Sequence, residues 1–150
     1  MKIYIGSDHG GFELKEKLKK FLIDNNYIVE DLGCHSLESV DYPDFGFAVA
    51  EKVRDDQESR GIVVCSTGIG ISIAANKVKN IRCALVSDLE SARLTRQHND
   101  SNVLALGAKI IDHNLALEIA NVWLNTAFEG GRHQRRIDKI THYEVKKWVK

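Results

Sequence analysis

The sequence predicts an α/β fold: one domain built on a parallel, doubly wound sheet. Three observations lead there. Short β-branched and apolar runs alternate with longer segments of helical periodicity. One of the short runs, Gly61–Cys65 (GIVVC), is apolar throughout, as in a strand covered on both faces. The chain has 150 residues, 43% of them hydrophobic and only one proline, and no long linker or internal repeat divides it. Five strands separated by helices imply a parallel sheet, because each helix carries the chain back across it.

The elements follow in order. Lys2–Gly6 (KIYIG) predicts a strand and Gly11–Asn25 a helix, whose apolar stripe is Leu14, Leu18, Phe21 and Leu22, with Lys15, Lys19 and Lys20 mostly off it. Tyr27–Leu32 is the second strand. Pro43 stands where the first turn of a helix would start, ahead of Phe47, Val49, Ala50 and Val53. After Gly61–Cys65 come a small-residue helix over Gly68–Val78, a strand over Arg82–Val86, and a helix over Asp88–His98 with a capping box from Ser87 to Glu90. Asn102–Leu106 is the fifth strand, and Asp112 caps a helix running to about Ala127. Glu129-Gly130-Gly131 breaks the chain before a last helix, with Ile137, Ile140 and Tyr143 at steps of three.

Composition narrows the function. Lys plus Arg number 21 and Asp plus Glu 21, so the neutral chain is not drawn as a whole to nucleic acid or to an anionic membrane. No apolar run approaches the ~18 residues of a membrane span, and the start, MKIYIGSDHGG, does not read as a secretory signal. Cys34, Cys65 and Cys83 are too few and too scattered for a disulfide framework, which suits a reducing cytoplasm. The neutrality hides an asymmetry: from Arg132 onward seven Lys/Arg face only Asp138 and Glu144. The lysines there fit a solvated helix face, whereas the arginines of GGRHQRR fit a phosphate, which a guanidinium fork can grip.

Ligands of such sheets bind at the carboxyl ends of the strands, so the loops that follow strands carry the candidates. CSTGIGISIAANK, Cys65 to Lys77, is the densest. A thiol ends a strand, Ser66 and Thr67 follow, and Gly68 and Gly70 turn the chain into a helix whose free N–H groups favour an anion and a thiolate. A Cys-based phosphatase loop would need Arg where Ile71 stands, and a Walker A loop is absent. A dinucleotide fingerprint fits Gly68 and Gly70, with Asp88 at ribose-binding distance, but Ile73 occupies the third glycine. Asp8 and His9 follow the first strand beside a Gly pair and would face the Cys65 loop if the sheet reverses there. His98 and Asn99 end a helix, where caps are also common. No cysteine pair or histidine grouping has metal-ligand spacing, so no metal is expected.

SDHGG, DYPD, CSTGIGISIAANK, SARLTRQHND with NVLALGAK, and EGGRHQRR together closely resemble the type B ribose-5-phosphate isomerase family, in order over nearly the whole chain. The resemblance implies a Rossmann-like α/β/α sandwich around a five-stranded parallel sheet. It implies an enzyme of the pentose phosphate pathway, without metal or organic cofactor, acting on a phosphorylated sugar. Ribose 5-phosphate is the family's default, and galactose or allose 6-phosphate is the alternative. It also implies a homodimer or a dimer of dimers with shared sites, the C-terminal helix (about 133–150) touching the partner. Carried over by position, Cys65 is the base between C1 and C2, Thr67 assists on the oxygens, and His98 opens the ring with Asp8 as helper. Amides from Ser66 through Thr67, Gly68 and Ile69 to Gly70 hold the enediolate. Asn99 contacts the sugar, Tyr42 lines the site, and His9, Lys109, Arg132 and Arg136 gather round the phosphate. A second branch of the family carries Glu at the place of Ile71 and lacks the cysteine, so here only Cys65 can be the base. Lys109 stands where many members have Arg, and Ser66 where Gly is common.

Overall fold

A computed structural model describes residues 1–146. Its strands are β1 (Lys2–Ser7), β2 (Ile28–Asp31), β3 (Arg60–Cys65), β4 (Cys83–Leu85) and β5 (Val103–Gly107). The helices are α1 (Phe12–Asp24), α2 (Tyr42–Asp55), α3 (Ile69–Ala75), α4 (Leu89–Asn99), α5 (His113–Leu124) and α6 (Arg132–Val145). The strands form one sheet in the order β2-β1-β3-β5-β4, and every neighbouring pair is parallel. The winding reverses between β1 and β3, where Ser7 pairs with Val64; on the other side of β3, Cys65 pairs with Gly107.

Residue parity along the strands builds the two halves of the core, because successive side chains point to opposite faces. Ile3, Ile5, Ile62, Val64, Leu104 and Leu106 meet Leu14, Leu18 and Leu22 of α1 and Ile119 and Trp123 of α5. The alternate residues, Tyr4, Val63, Cys65, Val103 and Ala105, meet Val49 and Val53 of α2 and Ile71 and Ala75 of α3. Three layers, α/β/α, result. Fully burying one such aliphatic side chain is worth roughly 1.5–3 kcal/mol, so a register slip in any central strand would forfeit several at once.

The sequence reading needs four local corrections. Lys15 is not off the stripe: it is fully buried, its Nζ 2.6 Å from the Asp31 carboxylate on β2. Burial works to raise the Asp31 carboxyl, but Lys15, the Gly33 amide and Lys19 hold it below its ordinary value. Helix α3 ends at Ala75, with turns carrying the chain to Val78. The cap of α4 is Asp88 rather than Ser87; its carboxylate accepts from the Ser91 N–H and hydroxyl. Helix α5 stops at Leu124, not Ala127, although Asp112 caps it as expected. Helix α6 buries His133 and Ile137 and leaves Ile140 and Tyr143 exposed, while residues 147–150 of the expected C-terminal helix lie outside the described residues.

Candidate active site

Cys65 ends β3 on the α2/α3 side of the sheet, and only 5% of it is exposed. The loop after it folds back so that the Gly68 N–H donates to Cys65 Sγ at 3.1 Å. Negative charge on the sulfur would meet a donor already in place. Gly68 has φ +77, and a Cβ there would lie 2.8 Å from the Leu106 carbonyl carbon and 2.9 Å from the Gly107 nitrogen. Only glycine lets the loop run this close to the end of β5. The Ile69 N–H donates to Thr67 Oγ1 at 3.2 Å. Two of the five expected oxyanion donors, Gly68 and Ile69, are therefore engaged inside the loop. The Thr67 and Gly70 amides have no backbone or side-chain acceptor among the described residues.

Other predicted residues gather round this loop. The turn His9–Gly11 packs against it: a side chain at Gly10 would collide with Ser66 Oγ. Asp8 is buried and accepts from the Gly11 N–H at 3.1 Å. His9 Nδ1 accepts from the Val40 N–H at 3.1 Å, so the neutral ring carries its proton on Nε2, which is left to donate to a ligand. Tyr42 opens α2 with its ring over Gly70, where a Cβ would come within 2.6 Å of it. Lys109 is fixed by its own N–H, which donates to the Ser66 carbonyl at 2.9 Å. The reversal of winding between β1 and β3 thus puts Asp8, His9, Tyr42, Cys65–Gly70 and Lys109 at one end of the sheet.

His98, Asn99, Arg132 and Arg136 form a second group. They line a cleft of about 1060 Å³ between the end of α4 and α6, and no residue of the Cys65 loop lines it. His98 stacks on His133, ring centroids 4.3 Å apart and planes 14° from parallel, with Nε2 3.8 Å from the Glu129 carboxylate. Burial lowers the His133 imidazole below its ordinary pKa, and His98, Arg132 and Arg136 push the same way against Glu129. Sequence reasoning missed Glu129 and His133. The one available signal was their place beside the arginines of EGGRHQRR.

His98, Glu129 and His133 are also the described residues whose ligand atoms lie closest to a metal set, all within 4.8 Å. Imidazole lone pairs lie in the ring plane, so two stacked, near-parallel rings cannot both aim at one ion. The Asp88 carboxylate, which the dinucleotide alternative would use for a ribose, here caps α4 by accepting from the Ser91 N–H and hydroxyl. Burial pushes the Cys83 thiol up to about 12, which leaves it inert. No helix among the described residues is long and apolar enough to cross a membrane.

Known proteins share this fold over nearly their full length. Ribose-5-phosphate isomerase B of Escherichia coli K12 is 44% identical over 146 residues, 97% of this chain and 98% of that protein. The structure of Clostridium thermocellum ribose-5-phosphate isomerase B is 53% identical, covers 96% of this chain and 97% of its own, and superposes with a TM-score of 0.94. That of Mycoplasma genitalium ribose-5-phosphate isomerase B, with bound ribulose-5-phosphate, is 43% identical, covers 97% of both chains and has a TM-score of 0.95. The family model described as ribose/galactose isomerase matches residues 3–140. With the family model, the full-length likeness and the fold in agreement, this chain belongs to the ribose/galactose isomerase family.

Proposed function

We propose that the chain is an aldose–ketose isomerase that interconverts ribose 5-phosphate and ribulose 5-phosphate. The observation that carries this reading is the Cys65 thiol at a strand end, under a glycine loop whose Thr67 and Gly70 amides stay open. The bound ribulose-5-phosphate of the Mycoplasma genitalium relative supplies the substrate class. His98 opens the furanose by moving a proton between the ring oxygen and the C1 hydroxyl. The Cys65 thiolate then takes the C2 proton from the open-chain aldose, and the electron pair moves to the C1 oxygen. The loop amides hold the resulting enediolate; one lost donor of this kind typically costs ~10²–10³ in rate. Thr67 moves a proton between O1 and O2, and the thiol returns its proton to C1. The phosphate takes no part in the bond changes and orients the reacting carbons; His9 Nε2, Lys109, Arg132 and Arg136 hold it, and Asn99 and Tyr42 flank the sugar.

The reading includes a second copy of the chain. The cleft with His98 and the arginines does not contain Cys65, so the groups meet when the α6 cleft of one copy covers the Cys65 loop of another. The apolar side chains left exposed on these surfaces, Ile69, Leu85, Leu89, Ile140 and Tyr143, suit such a contact. The single domain and a reducing cytoplasm belong to the same reading, supported by one continuous sheet and three unpaired cysteines. The test is incubation with ribose 5-phosphate in D₂O without added metal. Ketose carrying deuterium at C1, and recovered aldose carrying it at C2, are expected. Ketose formation that Cys65→Ala leaves unchanged would remove the base assignment.

A further inference from the structure

We propose that the amino end of the sheet carries a second anion site, built for a small phosphate-type oxyanion. A cavity of about 560 Å³ opens there, at the opposite strand ends from Cys65, lined in part by Met1, Arg54, Arg60, Arg82, Arg96 and Asp100. Topology brings the cations together: Arg60 begins β3, Arg82 directly precedes β4, and Arg96 reaches in from α4. Asp100 and Glu58 are the lining carboxylates, against four guanidiniums and the chain's amino terminus; outside the lining, Asp55 accepts from Arg54 Nε at 2.9 Å and Glu144 acts on Arg82.

The guanidiniums are anchored but not exhausted. Arg60 Nη1 donates to the Trp123 and Leu124 carbonyls at 3.0 and 3.3 Å. Arg96 donates from Nε to the Thr126 carbonyl and from Nη1 to Asp100 and the Ser101 carbonyl. Arg82 donates from Nε and Nη2 to the Asn99 and Asp100 carbonyls. Arg60 Nη2, Arg82 Nη1 and Arg96 Nη2 keep donors without an acceptor among the described residues. None of these nitrogens is a buried unsatisfied atom, so each reaches solvent. Three anchored guanidiniums, each with a free Nη group beside one polar cavity, suit a phosphate's oxygens. Burial and the neighbouring Arg96 bring the Arg60 guanidinium down to about 10, a strain that an anion relieves.

Arg82 lines both cavities, and its Nε holds the Asn99 carbonyl at 2.8 Å. An anion drawing on Arg82 therefore pulls on the residue next to His98. This kinetic consequence rests on the function proposed above; the binding itself does not.

Inorganic phosphate is titrated into the full chain while the thermal midpoint is followed, with sodium chloride at matched ionic strength as the blank. An Arg132→Met/Arg136→Met variant first removes the cleft's own phosphate contacts. Phosphate is expected still to raise the midpoint of that variant, and a further Arg60→Met to weaken binding about 10- to 100-fold. Arg54→Glu, at the exposed rim, weakens it too and decides the question if Arg60→Met does not fold. A phosphate effect that disappears with the cleft arginines alone, or that chloride reproduces, overturns the site. Glycerol 3-phosphate binding as well as phosphate identifies a phosphomonoester ligand; binding of inorganic phosphate alone identifies the free ion. In the wild type, phosphate is expected to lower kcat as well as raise KM, and in Arg54→Glu to raise KM only. An equal kcat effect in both overturns the coupling and leaves the binding result standing.

Discussion

Splitting the candidate site between two chains tests the assembly with a number. The Cys65 loop, Asp8, His9, Tyr42 and Lys109 gather at the carboxyl end of β1 and β3, whereas His98 and the arginines line a separate cleft beside α6. In a two-fold dimer each complete site would take its sulfur from one copy and its imidazole from the other. Cys65→Ala and His98→Asn homodimers each lack one group in both sites, and loss of an acid–base group lowers the rate by about 10²–10⁴. Mixed after unfolding in equal amounts, the chains pair at random and about half the dimers contain one of each. Such a dimer has one site with both groups and one site with neither. The mixture should therefore recover about a quarter of wild-type turnover, and hybrids purified on two different tags about half. Ketose formation from ribose 5-phosphate is the assay, with circular dichroism to verify refolding. A mixture no more active than its parents, with hybrids demonstrably present, would refute the shared site. It would mean that His98 serves the sulfur of its own chain.

Three further outcomes follow from the same geometry. Gly70→Ala drives a methyl into the exposed Tyr42 ring, which can swing away, so stability should change by no more than about 1 kcal/mol while KM rises; Gly68→Ala meets backbone at φ +77 and should cost about 1–3 kcal/mol in denaturant unfolding. Lys15→Met leaves the Asp31 carboxylate buried without its main partner and should cost about 3–5 kcal/mol, and a smaller loss in Lys15→Met/Asp31→Leu than in the single variant would show that the stranded charge is the cause. His133 has a depressed pKa in the fold, so the folded state binds fewer protons; stability should be full above the ordinary value of 6.5 and fall as pH drops below it, and melts of His133→Asn that keep the full acid sensitivity would contradict this.

The fold was legible because each central strand obeys a local rule. Ile3, Ile5 and Tyr4, or Ile62, Val64 and Val63, sort to opposite faces by parity alone, and the apolar GIVVC run needs cover on both sides. The Cys65 loop was legible for the same reason: strand end, hydroxyls and glycines are contiguous in sequence. Lys15 was not, because its partner Asp31 lies sixteen positions away on strand β2 and nothing in a helical stripe marks one lysine for burial.

The His98 environment shows where local reading ends. A histidine at a helix terminus looks like a cap, and only the docking of α6 onto α4 brings His133 against it and Glu129 alongside. The same docking exposes Ile140 and Tyr143 and aligns Arg132 with Arg136 one turn apart. Helix α6 therefore spends its buried face, His133 and Ile137, on its own chain, and keeps its cationic and apolar face for whatever enters the cleft. In the proposed two-copy site that exposed face would meet the neighbour's substrate, while the buried face fixes the helix on its own chain.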